Sequence, residues 1–429
     1  MRSSISNTIH SFSKLTKEQK IEWLVANYLE NKKDTTNLLK SYWHTDLSKQ
    51  ELHDGFSENS ISNFYLPFGI APNFVVNKKT YAIPMVTEES SVVASASKTA
   101  KFWSSRGGFK ASVLSTQKIG QVHFMYNGKH EDLVQYFISK KEELIRCTDD
   151  ITKNMRSRGG GITEIELIDN TKKLENYFQL HVSFETVDSM GANFINSCLE
   201  QIAKTFASSD IKIVMSILSN HVPNCIARAE VCCRAEDLYK ENSIFYAEKF
   251  IQAVKIAQVN TYRAVTHNKG IMNGVDAVVI ATGNDFRSVE ASAHAYASKD
   301  GCYKSLSDAT IEHGVFKFWL EIPLAIGTVG GLTSLHPLSK ISLDILGNPN
   351  AKELMQIIAA AGLAQNFAAI RALTTTGIQK GHMKLHLSNI IKSFGANSDH
   401  EKMLTKYFEN KTISHSEVAK VYEELLNNN

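Results

Sequence analysis

Cysteine and proline are scarce: six and seven in 429 residues. Cys147, Cys198, Cys225, Cys232, Cys233 and Cys302 form no CxxC pair. That excludes zinc-ribbon spacing and a disulfide scaffold, and points to reduced, mostly buried thiols. Charge of one sign is also lacking. A net charge of +3 and a pI near 8.3 are too mild to make nucleic acid the expected partner. No uninterrupted apolar run approaches the ~20 residues of a membrane span. The opening MRSSISNTIHSFSKLTKEQK has no apolar core of a secretory signal, so a cytoplasmic location is expected. With 43% hydrophobic and 21% charged residues, disorder is not expected over most of the length. At about 150 residues per domain, the length suggests two or three domains.

Familiar nucleotide and nucleophile motifs are missing too. There is no GxxxxGK[ST], no GxGxxG after a strand and no GxSxG. His382 and His386 have the i, i+4 spacing of a helical zinc pair, but Met383 stands where a glutamate base would follow, and no third ligand is apparent. No metal is expected.

What is present is patterned. Short helices are expected over Thr16–Leu29 and Thr36–Trp43. Asn73–Asn77 and Tyr81–Val86 read as strands joined by a turn, followed by a helix over Ser90–Trp103. Lys118–Tyr126, Glu131–Arg146, Ile162–Ile168, Tyr177–Glu185, Ala192–Phe206 and Ile211–Leu218 give the order β-α-β-β-α-β, a ferredoxin-like arrangement. Further on, Ser243–Thr261 reads as a helix and Asp276–Ala281 (DAVVIA) as a buried strand. Val289–Ala297 reads as helix, Phe316–Ile322 as strand, and Ala351–Leu373 as a long alanine-rich helix with Gly377 as its C-cap. The segment from His382 on is charged and helical, suiting a lid.

Three polar stretches interrupt this pattern: Thr87-Glu88-Glu89-Ser90-Ser91, Thr266-His267-Asn268-Lys269-Gly270, and Thr282-Gly283-Asn284-Asp285. Each has a structural explanation taken alone. Glu88 and Glu89 favour the positive end of a helix, Lys269 suits a solvated loop, Asp285 suits a helix cap, and His382 suits the surface. Their occurrence together, in one order, is what points to function.

That order resembles the 3-hydroxy-3-methylglutaryl-CoA reductase family, in its soluble bacterial (class II) branch. The resemblance is carried by PMVTEESSVVASAS from Pro84, DSMGAN from Asp188, YRAVTHNKGIMNG from Tyr262, VIATGNDFRSVEASAHAYA from Val279, GLAQNFAAIRAL from Gly362 and GIQKGHMKLH from Gly377. It implies an α+β fold. A large CoA-thioester domain would comprise residues 1–114 and 223–378, an inserted NAD(P)-binding domain 115–222, and a C-terminal flap 379–429. It also implies a homodimer, or an assembly of dimers, with active sites at the subunit interface. The implied reaction is four-electron reduction of hydroxymethylglutaryl-CoA to mevalonate and coenzyme A by NAD(P)H. Oxidation of mevalonate by the same enzyme with NAD is the alternative, and a non-catalytic CoA-thioester-binding protein a remoter one.

The resemblance implies roles residue by residue. Lys269 would meet the developing oxyanion, Glu89 would supply the proton, and Asp285 would hold Lys269 charged. His382 would protonate the departing thiolate. Arg263 and Ser91 would hold the substrate carboxylate, with Asn273 a further polar contact. For the cofactor, Asp188, Ser189, Met190, Gly191 and Asn193 begin a helix whose N-terminus suits a pyrophosphate. Counting back from Gly159 puts Thr152 where NAD-preferring members carry an aspartate. With Lys153, Arg156 and Arg158 nearby, the reading leans to NADPH over NADH. Asp149 or Asp150 in that place would reverse it. Two departures leave the reacting groups intact: Glu58-Asn59-Ser60-Ile61-Ser62 replaces ENVIG, and Ser90 stands where some members have proline.

Overall fold

The computed structural model describes residues 8–29, 32–239, 243–375, 377, 387–388, 390–408, 411 and 413–427. The chain divides into two compact units, Met1–Pro67 and Phe68–Asn429. In the first, α1 (Lys17–Tyr28) starts at a reciprocal cap between Thr16 and Gln19, as its sequence suggests. It is followed by α2 (Lys32–Ser41) and by α3 (Leu47–Asp54), capped by Asp46. Lys17 ties α1 to α3 through Asp54 at 2.7 Å.

The second unit opens with a hairpin, β1 (Phe68–Val76) and β2 (Lys79–Val86). Its two-residue loop puts Asn77 and Lys78 at φ 50° and 68°, the left-handed pair that matches strand twist. Helix α4 (Val92–Ser104) follows. A four-stranded antiparallel sheet has the order β3-β8-β10-β9, with β3 Lys110–Val113, β8 Ile226–Arg234, β9 Ser307–Glu312 and β10 Val315–Pro323. The main core includes Trp103, Phe109, Phe250, Phe316, Phe318 and Phe367, all fully buried.

Between β3 and β8 the chain builds a second sheet with its own core. Its elements are β4 (Lys118–Tyr126), α5 (His130–Arg146), α6 (Asp149–Arg156), β5 (Gly161–Asp169), β6 (Tyr177–Glu185), α7 (Ala192–Phe206) and β7 (Ile211–Leu218). The order β5-β6-β4-β7, all neighbours antiparallel, is the split βαβ topology expected from the sequence. The fold is α+β.

One expectation is overturned. Asp276–Ala281 is not a strand but the end of α9 (Thr261–Ala281), a 21-residue helix capped by Asn260. Ala277, Val278, Val279 and Ala281 are all buried, so this stretch shows no amphipathic period and resembles a buried strand in sequence. Helices α8 (Ser243–Val259) and α10 (Phe286–Ala297) flank it. Two shorter helices, α11 (Leu332–Leu335) and α12 (Pro337–Ile345), precede α13 (Ala351–Thr374). Among the described residues, α13 alone is long and apolar enough to cross a membrane, and 72% of its apolar window is buried inside the fold. It is the central core helix. Gly377 sits at φ 79° and returns its N–H to the Ala372 carbonyl, a Schellman-type closure. Two later helices, Ser398–Tyr407 and His415–Asn427, agree with the helical reading over those residues.

Small residues let α9 and α13 approach closely. A Cβ on Gly274 would lie 2.6 Å from the Ala361 carbonyl oxygen, and one on Gly362 would lie 2.7 Å from Val275 Cγ2. Gly274→Ala is therefore expected to destabilise by about 1–3 kcal/mol, read as a lower urea midpoint. Gly270→Ala is the control: its Cβ would meet only Ala369 Cβ at an ordinary 3.7 Å, so the midpoint should hold or rise. Equal losses at both positions would mean that close packing is not what Gly274 serves.

Candidate active site

Helices α4, α9 and α13 enclose a cavity of about 560 Å³. Glu89 reaches it from the loop between β2 and α4, where its N–H is held by the Thr87 hydroxyl at 3.2 Å. Lys269 reaches it from α9, and its Nζ lies 2.6 Å from Glu89 Oε2. Asn273, one turn further along α9, donates to the same oxygen at 3.3 Å. Lys269 is 60% exposed and Glu89 35%. An ion pair that open contributes at most about 1 kcal/mol to stability, so its consequence is chemical. It places a cation and an acid side by side at a cavity mouth.

Ser91 and Arg263 line the same cavity. Ser91 occupies the N-cap position of α4 at φ 75°, a costly conformation for a non-glycine residue. Its hydroxyl makes no capping bond, which leaves it to the cavity. Arg263 has no ion pair among the described residues, and burial depresses its pKa. A partly desolvated guanidinium without a carboxylate partner suits an anionic ligand. Five of the predicted residues, Glu89, Ser91, Arg263, Lys269 and Asn273, thus line one cavity.

Other predicted residues lie elsewhere. Asp285 caps α10, accepting from the Arg287 and Ser288 N–H groups, and pairs with the Arg287 guanidinium at 3.1 Å. Burial raises its pKa, but the Arg287 side chain and the helix N–H groups outweigh that and hold it below the usual range. Within this chain it meets Arg287 rather than Lys269. His382 lies outside the described residues.

The cofactor candidates divide. Thr152 is fully buried in α6, and its hydroxyl donates to the Thr148 carbonyl at 2.9 Å. The side chain therefore has no surface to offer a ribose, which corrects the ungapped count. The exposed positions of α6 are Asp149, Asp150, Lys153, Asn154 and Arg156, with Arg156 paired to Asp149 at 2.7 Å. Asp188 turns toward the large core: its carboxylate accepts the Ala351 N–H at 2.8 Å, at the start of α13. Ser189 is bound to Thr186 through both its hydroxyl and its carbonyl, and Met190 packs against Gly327. Gly191, at φ 87°, begins α7 with no side chain capping it, and Asn193 is exposed in its first turn.

Sequence reasoning missed several cavity residues. Lys98 was legible, since Ser91, Ser95 and Lys98 repeat at helical spacing along one face of α4. His267, Gln365, Asn366 and Arg371 became visible only once α9 and α13 were placed together. His267 is buried, its Nε2 lies 2.7 Å from the Ser307 hydroxyl, and burial with nearby Arg263 pushes its pKa down to about 3. It stays neutral in the cavity wall.

A cation–acid pair at a cavity mouth, beside an arginine with no ion pair among the described residues, makes an enzyme-type site on an α+β scaffold that suits an anionic ligand. The pattern of the family described as hydroxymethylglutaryl-coenzyme A reductase matches residues 18–387. A 3-hydroxy-3-methylglutaryl-coenzyme A reductase of Archaeoglobus fulgidus is 36% identical over 401 residues, covering 93% of this chain and 90% of its own. A probable enzyme of the same name from Borreliella burgdorferi is 34% identical, with 90% and 88% covered. A solved class II 3-hydroxy-3-methylglutaryl-CoA reductase of Streptococcus pneumoniae, bound to NADPH in open conformations, superposes with a TM-score of 0.71 at 36% identity, covering 93% of this chain and 100% of that one. The chain belongs to the hydroxymethylglutaryl-coenzyme A reductase family and is an oxidoreductase.

Proposed function

We propose that the protein reduces 3-hydroxy-3-methylglutaryl-CoA to mevalonate and coenzyme A, consuming two NADPH and two protons. The observation that carries this is the 2.6 Å contact of Lys269 with Glu89 beside the unpaired Arg263. When bound, each of two successive dihydronicotinamide cofactors would supply one hydride. Lys269 stabilises negative charge on the carbonyl oxygen, first of the thioester and then of the aldehyde. Glu89, once protonated in place of the carboxylate that accepts from Lys269, delivers a proton to that oxygen. His382 protonates the thiolate that leaves when the hemithioacetal collapses. An imidazole near 6.5 and a thiol near 8.5 make that transfer downhill. Arg263 and Ser91 hold the free carboxylate, and Lys98 places further positive charge in the cavity for the phosphates of coenzyme A.

The inserted unit, residues 115–222, is proposed to take the dinucleotide. Its residues fit one: α7 opens at Gly191 with no side chain capping it, and α6 exposes Lys153 beside Arg156, which pairs with Asp149. Those bases favour a 2′-phosphate, hence NADPH over NADH. Within its own chain Asp285 pairs with Arg287 and not with Lys269, so its proposed role fits a homodimer in which a second copy supplies it. The remaining large unit binds the CoA thioester, the segment after residue 378 closes over it, and the protein is cytoplasmic.

The experiment is the oxidation of NADPH and of NADH, followed in parallel by absorbance with the CoA thioester. NADPH is expected to give the higher kcat/KM. No thioester-dependent oxidation of either would overturn the function, and a preference for NADH would overturn the cofactor assignment alone.

A further inference from the structure

Asp276 stands on α9 three residues beyond Asn273 and seven beyond Lys269, on the same helical face. Its Oδ1 is buried and has no hydrogen-bond partner. Its neighbours are themselves acids: Glu290 from α10, close enough to share a proton with it, and Glu88 from the loop after β2. Two ionised carboxylates are both acceptors, so a buried pair without another donor is relieved by holding a proton between them. Glu290 in turn lies 2.6 Å from His294 Nε2, and His294 Nδ1 lies 2.6 Å from the Tyr303 hydroxyl. Tyr303 lies near Asn268, the residue before Lys269. Asn268 is itself fixed by the Lys304 carbonyl at 2.9 Å and the Leu306 N–H at 3.0 Å.

We infer that Asp276 and Glu290 share one proton across the neutral range, and that this bridge is a positioning device that seats α9 so that Lys269 and Asn273 meet Glu89. The charges agree with the geometry. Burial first, then Glu290 and Glu88, push the Asp276 carboxyl up to about 9. The contact with His294 holds Glu290 below its usual range, and the same contact raises His294. Losing the proton would set three carboxylates against one another behind the reacting pair. The inference rests on the proposed roles of Lys269 and Glu89, and adds Asp276, Glu290 and His294 as residues that act through them.

Asp276→Asn tests it, because the amide still donates to Glu290 but cannot titrate. At neutral pH the variant should keep close to wild-type kcat. Its loss of kcat at alkaline pH should move upward by about one pH unit or more relative to wild type. An unchanged alkaline limb, or a neutral kcat as low as that of Asp276→Ala, would overturn the positioning role. The shared proton has a readout free of activity. Asp276 is ionised in the unfolded chain above its ordinary 3.8 but protonated when folded up to about 9. Its contribution is thus fully present below about 4 and is lost as pH rises. The unfolding constant of wild type should therefore climb tenfold per pH unit relative to the variant across that window. Parallel stability curves would sink the inference while leaving the reductase reading untouched; full turnover in Lys269→Ala would sink that reading while leaving the slope intact. Should the asparagine variant not fold, the wild-type infrared spectrum decides. A protonated carboxyl band at pH 7 that fades through pH 9 is expected, and its absence overturns the proposal.

Discussion

Lys269→Ala is expected to lower kcat with the CoA thioester by about 100- to 1,000-fold, or roughly 3–4 kcal/mol of transition-state stabilisation. On the proposed mechanism Lys269 meets the charge that develops on the carbonyl oxygen, being the cation held against Glu89 at 2.6 Å. Thermal stability should scarcely change, because the side chain is 60% exposed and its ion pair supports little. KM should move far less than kcat, as the lysine meets charge that the ground state lacks. A variant with wild-type turnover would remove Lys269 from the chemistry. One with a lowered melting temperature and proportionate activity would make it a structural residue.

Arg263→Ala should act on the other parameter. Hydrogen bonds to a charged group contribute about 1.5–3 kcal/mol, so KM for the thioester is expected to rise by roughly 10- to 150-fold. The fold should be no less stable, and somewhat more so, because a partly buried guanidinium without an ionic partner carries an uncompensated desolvation cost. Arg263→Lys should recover only part of the affinity, since an ammonium cannot form the two-pronged contact with a carboxylate. A fall in kcat with unchanged KM would place Arg263 at the reacting carbonyl instead.

How much of this was legible beforehand depended on whether a residue's role is local. The inserted sheet was readable because its strands alternate and its helices carry one apolar face. Tyr177–Glu185 and Ala192–Phe206 appear with the bounds that periodicity suggests. Helix α9 was not, because its second half is buried on all sides and loses the period that would announce a helix. Strands β3, β8 and β9 were also missed. Arg228, Glu230 and Arg234 make β8 look like a surface segment, yet Arg228 is paired with Glu321 of β10 at 2.7 Å. The cavity residues carried by distinctive motifs were identified, whereas His267 and Gln365 depend on how two helices cross. Thr152 failed for a different reason. An ungapped count fixes a position along the chain but not which face of α6 it occupies.

The tie between Asp188 and the first residue of α13 sets a ruler inside the molecule. From Ala351 to Gln365, where that helix borders the cavity, the rise is about 21 Å at ~1.5 Å per residue. Hydride passes only between atoms ~3–3.5 Å apart. A nicotinamide held at the proposed Gly191 site would have to bridge that separation to reach Lys269 of its own chain. If the proposed homodimer joins the donor of one polypeptide to its twin's lysine, that gap is crossed between copies rather than within one. Mixing a chain crippled at Lys269 with one crippled in the Gly191 loop should then restore turnover in the hybrid.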